Sequence, residues 1–379
     1  YNFNPGWRFF KGDIHGAESV DFDDRSWTIV STPHTVELMP AEASGCRNYQ
    51  GPAWYRKHFV LPAETKGKRV LIHFEAAMGK QVLYLNGKRI QEHVGGYLPF
   101  TLDLTTNGIQ AGDSCLLAIF VDNSNDKSFP PGKPQYTLDF AYHGGIYRDV
   151  WMIAKSPVSI TDPLDSQTVA GGGVFVHFDK ISEKSAQVYV NTELQNDNQH
   201  TETVTVETTL TDADGKVIKR TSGKLSLKSG EKKIIRQQIE VKSPKLWSPD
   251  APYLYKVQSR IKKGNQSIDG GITRIGIRLA EFRGKDGFWL NGKPFVQLVG
   301  ANRHQDFAYV GNALPNSQQW RDAKRLRDAG CTIIRVAHYP QDPSFMDACD
   351  ELGMFVIVAT PGWQYWNKDV KFGELVHQN

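Results

Sequence analysis

The hydrophobic period of this chain changes once, near residue 280, and no other feature constrains its fold as strongly. Upstream, short runs alternate apolar and polar residues, as in Trp54-Tyr55-Arg56-Lys57-His58-Phe59-Val60, Arg69-Val70-Leu71-Ile72-His73-Phe74 and Gln81-Val82-Leu83-Tyr84-Leu85. A two-residue period places alternate side chains on opposite faces of a sheet. Downstream, the near-continuous apolar strands Thr332–Ala337 and Met354–Val358 alternate with segments of helical period. That second pattern implies a parallel sheet covered by helices.

The upstream part divides in two. Residues 1–155 carry evenly punctuated strands, with Asn86-Gly87 between two alternating runs and a Gly95-Gly96 pair further on. Asn-Gly tolerates positive φ at both turn positions and so favours a tight hairpin. These residues are expected to form a jelly-roll sandwich. Residues 156–278 are richer in Thr, Val, Lys and Ser, with Asp214-Gly215 as a further hairpin turn, and read as an immunoglobulin-like β-sandwich. No cysteine lies between Cys115 and Cys331, so the inter-sheet disulfide of antibody domains is absent. The ten Lys and Arg between residues 216 and 245 alternate with apolar residues, which reads as a solvated face rather than a binding patch.

From 279 to 379 the order is strand, helix, strand, helix, strand. The apolar run Phe295-Val296-Gln297-Leu298-Val299 marks the first strand. A helix is expected from about Ser317 to Ala329, with Asn316 and Gln319 at capping-box spacing, Trp320, Ala323 and Leu326 on one side, and Gly330 at its end. Asp342-Pro343 opens the next helix and Gly353 closes it. A (β/α)₈ barrel takes about 250 residues. The expectation is therefore a mainly β, multidomain chain whose last 100 residues are an α/β TIM barrel cut off after about three strands, too little to close a core alone.

Composition narrows the function. The 45 Lys and Arg nearly balance 41 Asp and Glu with the signs interspersed, which leaves no footprint for nucleic acid or an anionic membrane. No run approaches the length of a membrane span. The aromatic content of 11% suits carbohydrate sites and all-β cores equally. Cys46, Cys115, Cys331 and Cys349 have neither zinc-ligand spacing nor the density of a disulfide framework, and read as buried thiols. The chain starts at Tyr1 without Met or a basic-then-apolar leader, which a removed signal peptide or a shortened chain would both leave. Periplasmic or secreted placement is preferred over cytoplasmic.

Five motifs in order then resemble glycoside hydrolase family 2, the β-galactosidase, β-glucuronidase and β-mannosidase family. They are Gly51-Pro52-Ala53-Trp54-Tyr55-Arg56; Gly144-Gly145-Ile146-Tyr147-Arg148-Asp149-Val150; Leu246-Trp247-Ser248-Pro249 with Pro252-Tyr253-Leu254-Tyr255; Phe288-Trp289-Leu290-Asn291-Gly292-Lys293-Pro294 with Gly300-Ala301-Asn302-Arg303-His304; and Arg335-Val336-Ala337-His338-Tyr339-Pro340. The resemblance implies retaining glycoside hydrolysis, most simply of β-galactosides, with β-glucuronidase and β-mannosidase as alternatives. That reaction needs a carboxylic acid and a carboxylate about 5–5.5 Å apart. The family's two glutamates lie on the fourth and seventh barrel strands, so no catalytic residue is expected here and both are expected beyond Asn379.

What the resemblance does assign is substrate binding. His304 and His338, just past the first two barrel strands, are expected to hydrogen-bond sugar hydroxyls. Asp139 is expected to reach the barrel mouth from the first domain, with Tyr142 and His143 beside it able to touch a ligand. A guanidinium within an apolar strand needs a carboxylate partner. For Arg335 the resemblance supplies the nucleophile of the seventh strand. Trp363, Tyr365 and Trp366 follow the third strand, where many family members carry acids, and offer rings on which a sugar face can stack. No cofactor is required; Na⁺ or Mg²⁺ enters only through the resemblance. The partner is a carbohydrate, with a homo-oligomer left open. The rival reading is a non-catalytic carbohydrate-binding or scaffold fragment.

Overall fold

The computed structural model describes residues 1–40, 48–166, 171–295, 298–361 and 365–378. The first sandwich packs a six-stranded sheet against a three-stranded one. Along the larger sheet the strands run Thr28–Val30, Trp7–Lys11, Pro52–Val60, Ser114–Asp122, Gly79–Leu85 and Lys88–Gly95. The smaller runs Phe100–Asp103, Arg69–Phe74 and Val150–Lys155. Asn86 and Gly87 join the last two strands of the larger sheet at φ of 50° and 81°, the left-handed geometry that Asn-Gly favours. Trp7, Tyr55, Phe74 and Leu117 lie between the sheets in a continuous apolar core. Arg56, on the other face of the same strand as Tyr55, is also fully buried, held by the Asp24 carboxylate at 2.7 Å.

The second sandwich follows directly with Val158–Ile160. One sheet joins that strand, Val174–Asp179 and Lys232–Lys242 to the long strand Ser185–Asn196. The other orders Val217–Leu227, Glu202–Thr211, Tyr255–Lys263 and Gln266–Ile275. Burial alternates residue by residue along Tyr255–Lys263, as a half-solvated strand requires. All ten cations between residues 216 and 245 are exposed, in keeping with a solvated face.

Beyond a small antiparallel sheet (Ala280–Phe282, Phe288–Leu290, Lys293–Pro294), three parallel strands pair in order: Gly300–Arg303, Ile333–Val336 and Phe355–Val358. Helices Asn316–Asp328 and Pro343–Leu352 cover one face, burying Ala323, Ile334, Val336, Phe345, Cys349 and Met354. Ile357 and Val358, on the edge strand, are 51% and 53% exposed. A last helix spans Val370–Gln378.

Local chemistry explains these helix ends only in part. The Asp342 side chain accepts from the Ser344 N–H at 2.8 Å, with proline at the first turn. Gly353 takes φ +77° at the C-cap, where a Cβ would meet the Pro249 carbonyl at 2.3 Å. The capping box expected at Asn316 does not form. Pro315 is the N-cap, and the Asn316 amide instead donates to Asp149 of the first sandwich at 2.9 Å. Trp320, expected inward with Ala323, is 40% exposed and its indole donates to Glu351 at 3.1 Å. The first barrel strand also sits later than its apolar run. Leu298 and Val299 are exposed, and parallel pairing with Ile333 begins at Gly300. Cys115 and Cys349 are buried thiols, Cys331 is half-buried, and Cys46 lies outside the described residues.

The second sandwich braces the barrel part. Trp247 is buried, donates to the Asp350 carbonyl at 2.9 Å, and sits edge-on to Phe355 with ring centroids 5.3 Å apart.

Candidate sugar-binding site

Parallel pairing places Asn302 opposite Arg335 and Arg303 opposite Val336, so the two chains leave the sheet side by side at its C-terminal end. The Ala337 N–H still bonds the Arg303 carbonyl at 3.0 Å. His304 and His338 emerge there, with ring centroids 5.3 Å apart and nearly edge to face. Below them Arg303 acts as a clamp. It is buried, donates to Gln341 at 2.6 Å, Gln319 at 2.9 Å and Asp322 at 2.7 Å, and lies over the Phe345 ring.

The third component comes from the first sandwich. Phe140 stacks on His304 at 5.1 Å and lies 5.6 Å from the His338 ring. Its neighbour Asp139 thereby comes to the barrel mouth. One carboxylate oxygen of Asp139 and one ring nitrogen each of His304 and His338 all lie within 4.8 Å of one another. The loop is held by buried polar groups. The Gln135 side chain accepts from the Tyr142 N–H, the Tyr142 hydroxyl donates to the Lys133 carbonyl at 2.8 Å, and the Asn123 amide donates to the Tyr142 carbonyl at 2.7 Å. Arg148 then crosses the domain boundary, donating to the Tyr97 carbonyl at 3.1 Å and the Pro340 carbonyl at 2.8 Å. Tyr97 and Tyr339 stack face to face at 4.0 Å beside it.

Arg335 is half-buried. Its guanidinium lies 3.0 Å from His338 Nδ1 and 3.5 Å from the Asn302 side-chain oxygen. Tyr142 and His143 are buried. His143 packs against Gly311, and its Nε2 is 3.9 Å from Asp306, beyond hydrogen-bonding distance. Trp363 lies outside the described residues. Tyr365 packs against Gly132 and Phe372, whereas Trp366 is 64% exposed.

Burial lowers both site imidazoles below the ordinary histidine value; at His338 the Arg335 cation and His304 add to this. Both rings are therefore favoured as neutral donor–acceptor pairs. With Asp139 as acceptor, Arg335 as donor and Phe140 as apolar wall, the arrangement can hold several hydroxyls of one ligand. None of the residues brought together here is a glutamate. Two imidazoles and one carboxylate also differ from the all-oxygen surroundings that Mg²⁺ and similar hard cations prefer. A separate cleft between the two sandwiches, lined among others by Lys66, Thr105, Gln195 and Lys232, holds none of these residues.

Sequence reasoning missed Phe140, Arg303 and the Tyr97–Tyr339 stack. Phe140 adjoins a residue already singled out, and Arg303 immediately precedes another; Tyr97 carried no local signal.

Three family models match successive parts of the chain. Glycosyl hydrolases family 2, sugar binding domain, matches residues 17–157; Glycosyl hydrolases family 2 matches 172–278; and its TIM barrel domain matches 282–373. A β-galactosidase of Thermoanaerobacter pseudethanolicus is 36% identical over 370 residues, 96% of this chain and 47% of the relative. A β-glucuronidase of Formosa agariphila is 33% identical, over 94% of this chain and 38% of its own. Among solved structures, Bacteroides uniformis β-glucuronidase 2, covalently bound to cyclophellitol-6-carboxylate aziridine, superposes with a TM-score of 0.90 at 30% identity, covering 100% of this chain and 44% of that one. A calcium-binding mutant of the same enzyme gives 0.87 at 30% identity with the same coverage. This chain thus spans less than half the length of these relatives.

Proposed function

The chain belongs to glycosyl hydrolase family 2, and from that premise we propose that it forms the substrate-holding part of a retaining exo-β-glycosidase acting on terminal β-galactosides. The observation that carries this reading is the convergence of Asp139, from the first sandwich, with His304 and His338 at the ends of two barrel strands. Asp139 accepts from sugar hydroxyls, the imidazoles donate to and accept from their neighbours, and Phe140 packs behind both rings. Arg335 faces the side on which a nucleophilic carboxylate of a later strand would stand, and it orients that group. Trp363 is proposed to complete the sugar-facing surface by stacking.

The acid and the nucleophile of this chemistry are supplied by glutamates that are not among these 379 residues. Retaining hydrolysis needs both carboxyl groups across one bond. Neutral imidazoles offer no anion to the developing oxocarbenium charge. The complete protein should cleave a chromogenic β-D-galactoside with retention, read by NMR of the first-formed anomer, and Asp139→Ala should lower kcat/KM at least a hundredfold. Turnover by the 379-residue polypeptide would refute the placement of the catalytic pair; an inverted first product would refute the mechanism. A second reading, β-glucuronidase, is favoured by the positive field of Arg335 and Lys133 at His338, which suits a ligand carboxylate. Relative kcat/KM on the two glycosides decides between them.

A further inference from the structure

The site joins one carboxylate and two imidazoles, a donor set whose chemistry extends beyond hydroxyl recognition. We propose that Asp139, His304 and His338 form an inhibitory site for a borderline transition-metal cation such as Zn²⁺, and that Arg335 opposes its occupancy. The inference rests on the same pocket as the function proposed above but not on any sugar binding there.

The ligating atoms lie within 4.8 Å of one another. A tetrahedral zinc ion with nitrogen and oxygen ligands at about 2.0–2.2 Å holds them roughly 3.3–3.5 Å apart. Closing that gap takes side-chain rotation of the exposed Asp139 and a small inward turn of the rings. His304 Nδ1 is buried with no hydrogen-bond partner, so one nitrogen of this ring is not committed to the protein. Three protein ligands leave a fourth position facing the mouth, the arrangement of an open rather than a structural zinc site.

Arg335 works against this. A guanidinium donates and cannot accept, so the 3.0 Å contact requires His338 Nδ1 to be the acceptor. A neutral ring then carries its proton on Nε2. That tautomer donates from Nε2 and has no lone pair there for a metal, while Nδ1 is covered by the guanidinium. Zinc must therefore displace Arg335 or change the tautomer, and the cation repels it in either case. The same contact that presents an N–H to the barrel mouth discriminates against divalent metals.

The test titrates the metal-stripped complete protein with Zn²⁺ by calorimetry, and with Co²⁺ by its visible absorption, which reports nitrogen–oxygen coordination independently of activity. One site per chain is expected. It should weaken at least tenfold in His304→Ala, His338→Ala and Asp139→Asn, and tighten at least tenfold in Arg335→Met. Absence of a site from both the unmodified protein and Arg335→Met overturns the proposal, as does binding that the three ligand variants leave unchanged. A ligand-dependent site that Arg335→Met does not tighten overturns the opposing role. Sugar affinity of the same variants, measured in a chelator, separates this result from the function above: loss of sugar binding with unchanged zinc binding refutes the metal site alone.

Discussion

Replacing Arg148 by methionine should loosen the first sandwich from the barrel without unfolding either. The side chain is 3% exposed and its guanidinium donates to Tyr97 and Pro340 carbonyls on opposite sides of the boundary. Hydrogen bonds from a charged donor contribute about 1.5–3 kcal/mol each. Only the Pro340 bond crosses the boundary, so separation forfeits roughly 1.5–3 kcal/mol; the 3.4 Å contact to Gln305 is too long to add much. Methionine fills most of the volume and avoids burying a charge, so the net loss falls near the lower end, about 1.5 kcal/mol. At about 1.4 kcal/mol per tenfold, that is about a tenfold rise in the open population. Hydrogen exchange of the complete protein reads it directly. The amides of Met39 and Tyr309, each bonded to the other's carbonyl across the boundary, should exchange about tenfold faster, while those of strand Glu202–Thr211 remain unchanged. Acceleration below threefold, or equal acceleration in all three segments, would refute the reasoning.

Glu75 is pushed up to about 7 by burial, aided by Asp342 and Asp149 and opposed by the Trp151 indole. Its folded value exceeds the unfolded one, so stability is lost as pH rises from about 4.5 to about 7. Glu75→Gln should remove that loss, gaining about 1–2 kcal/mol at pH 8 after allowance for partial exposure; urea midpoints at pH 4.5 and 8 that move in parallel with the parent's would contradict this. For Asp24, burial works upward, but hydrogen bonds from Arg56 and His58 prevail and hold the carboxyl below 3.8. Its stabilisation is present above that pH and disappears as pH falls below it, so Asp24→Asn should cost about 3–5 kcal/mol at pH 7 and much less at pH 2, and an equal cost at both would count against the ion pair. Gly353→Ala should destabilise the barrel part by roughly 2–3 kcal/mol, because φ is +77° and the new methyl meets the Pro249 carbonyl; a neutral effect on thermal unfolding would show that the loop yields.

The three-part architecture was legible because its signals are local. Asn86-Gly87 dictates its own turn, and Asp342-Pro343 and Gly353 bound their helix through groups within a few residues. The misreadings share one cause, a partner distant in sequence. Asn316 had the spacing of a cap, but Asp149 of another domain takes its amide. Leu298 and Val299 looked like a buried strand, but pairing with Ile333 sets the register two residues later. Trp320 fitted the apolar stripe, yet Glu351 of the next helix draws its indole to the rim. In the site, His304 and His338 were marked by their place after the strands, and Asp139 by its spacing to a motif. The Arg335–His338 contact had no such mark, since its geometry depends on how residues 337 and 338 leave the sheet.

The contact between Arg148 and Pro340 spans 192 residues, and that span is also a duration. A ribosome adding about 5–20 residues per second needs roughly 10–40 s to make it. During that interval the first sandwich can already be folded on the nascent chain, with Tyr97, Phe140 and Tyr147 assembled but Tyr339 and Ala313 not yet made. The aromatic surface that later backs the site is therefore covered only after the barrel's second strand has been made. For those seconds these rings lack their Tyr339 and Ala313 partners, and they meet water before they meet the barrel.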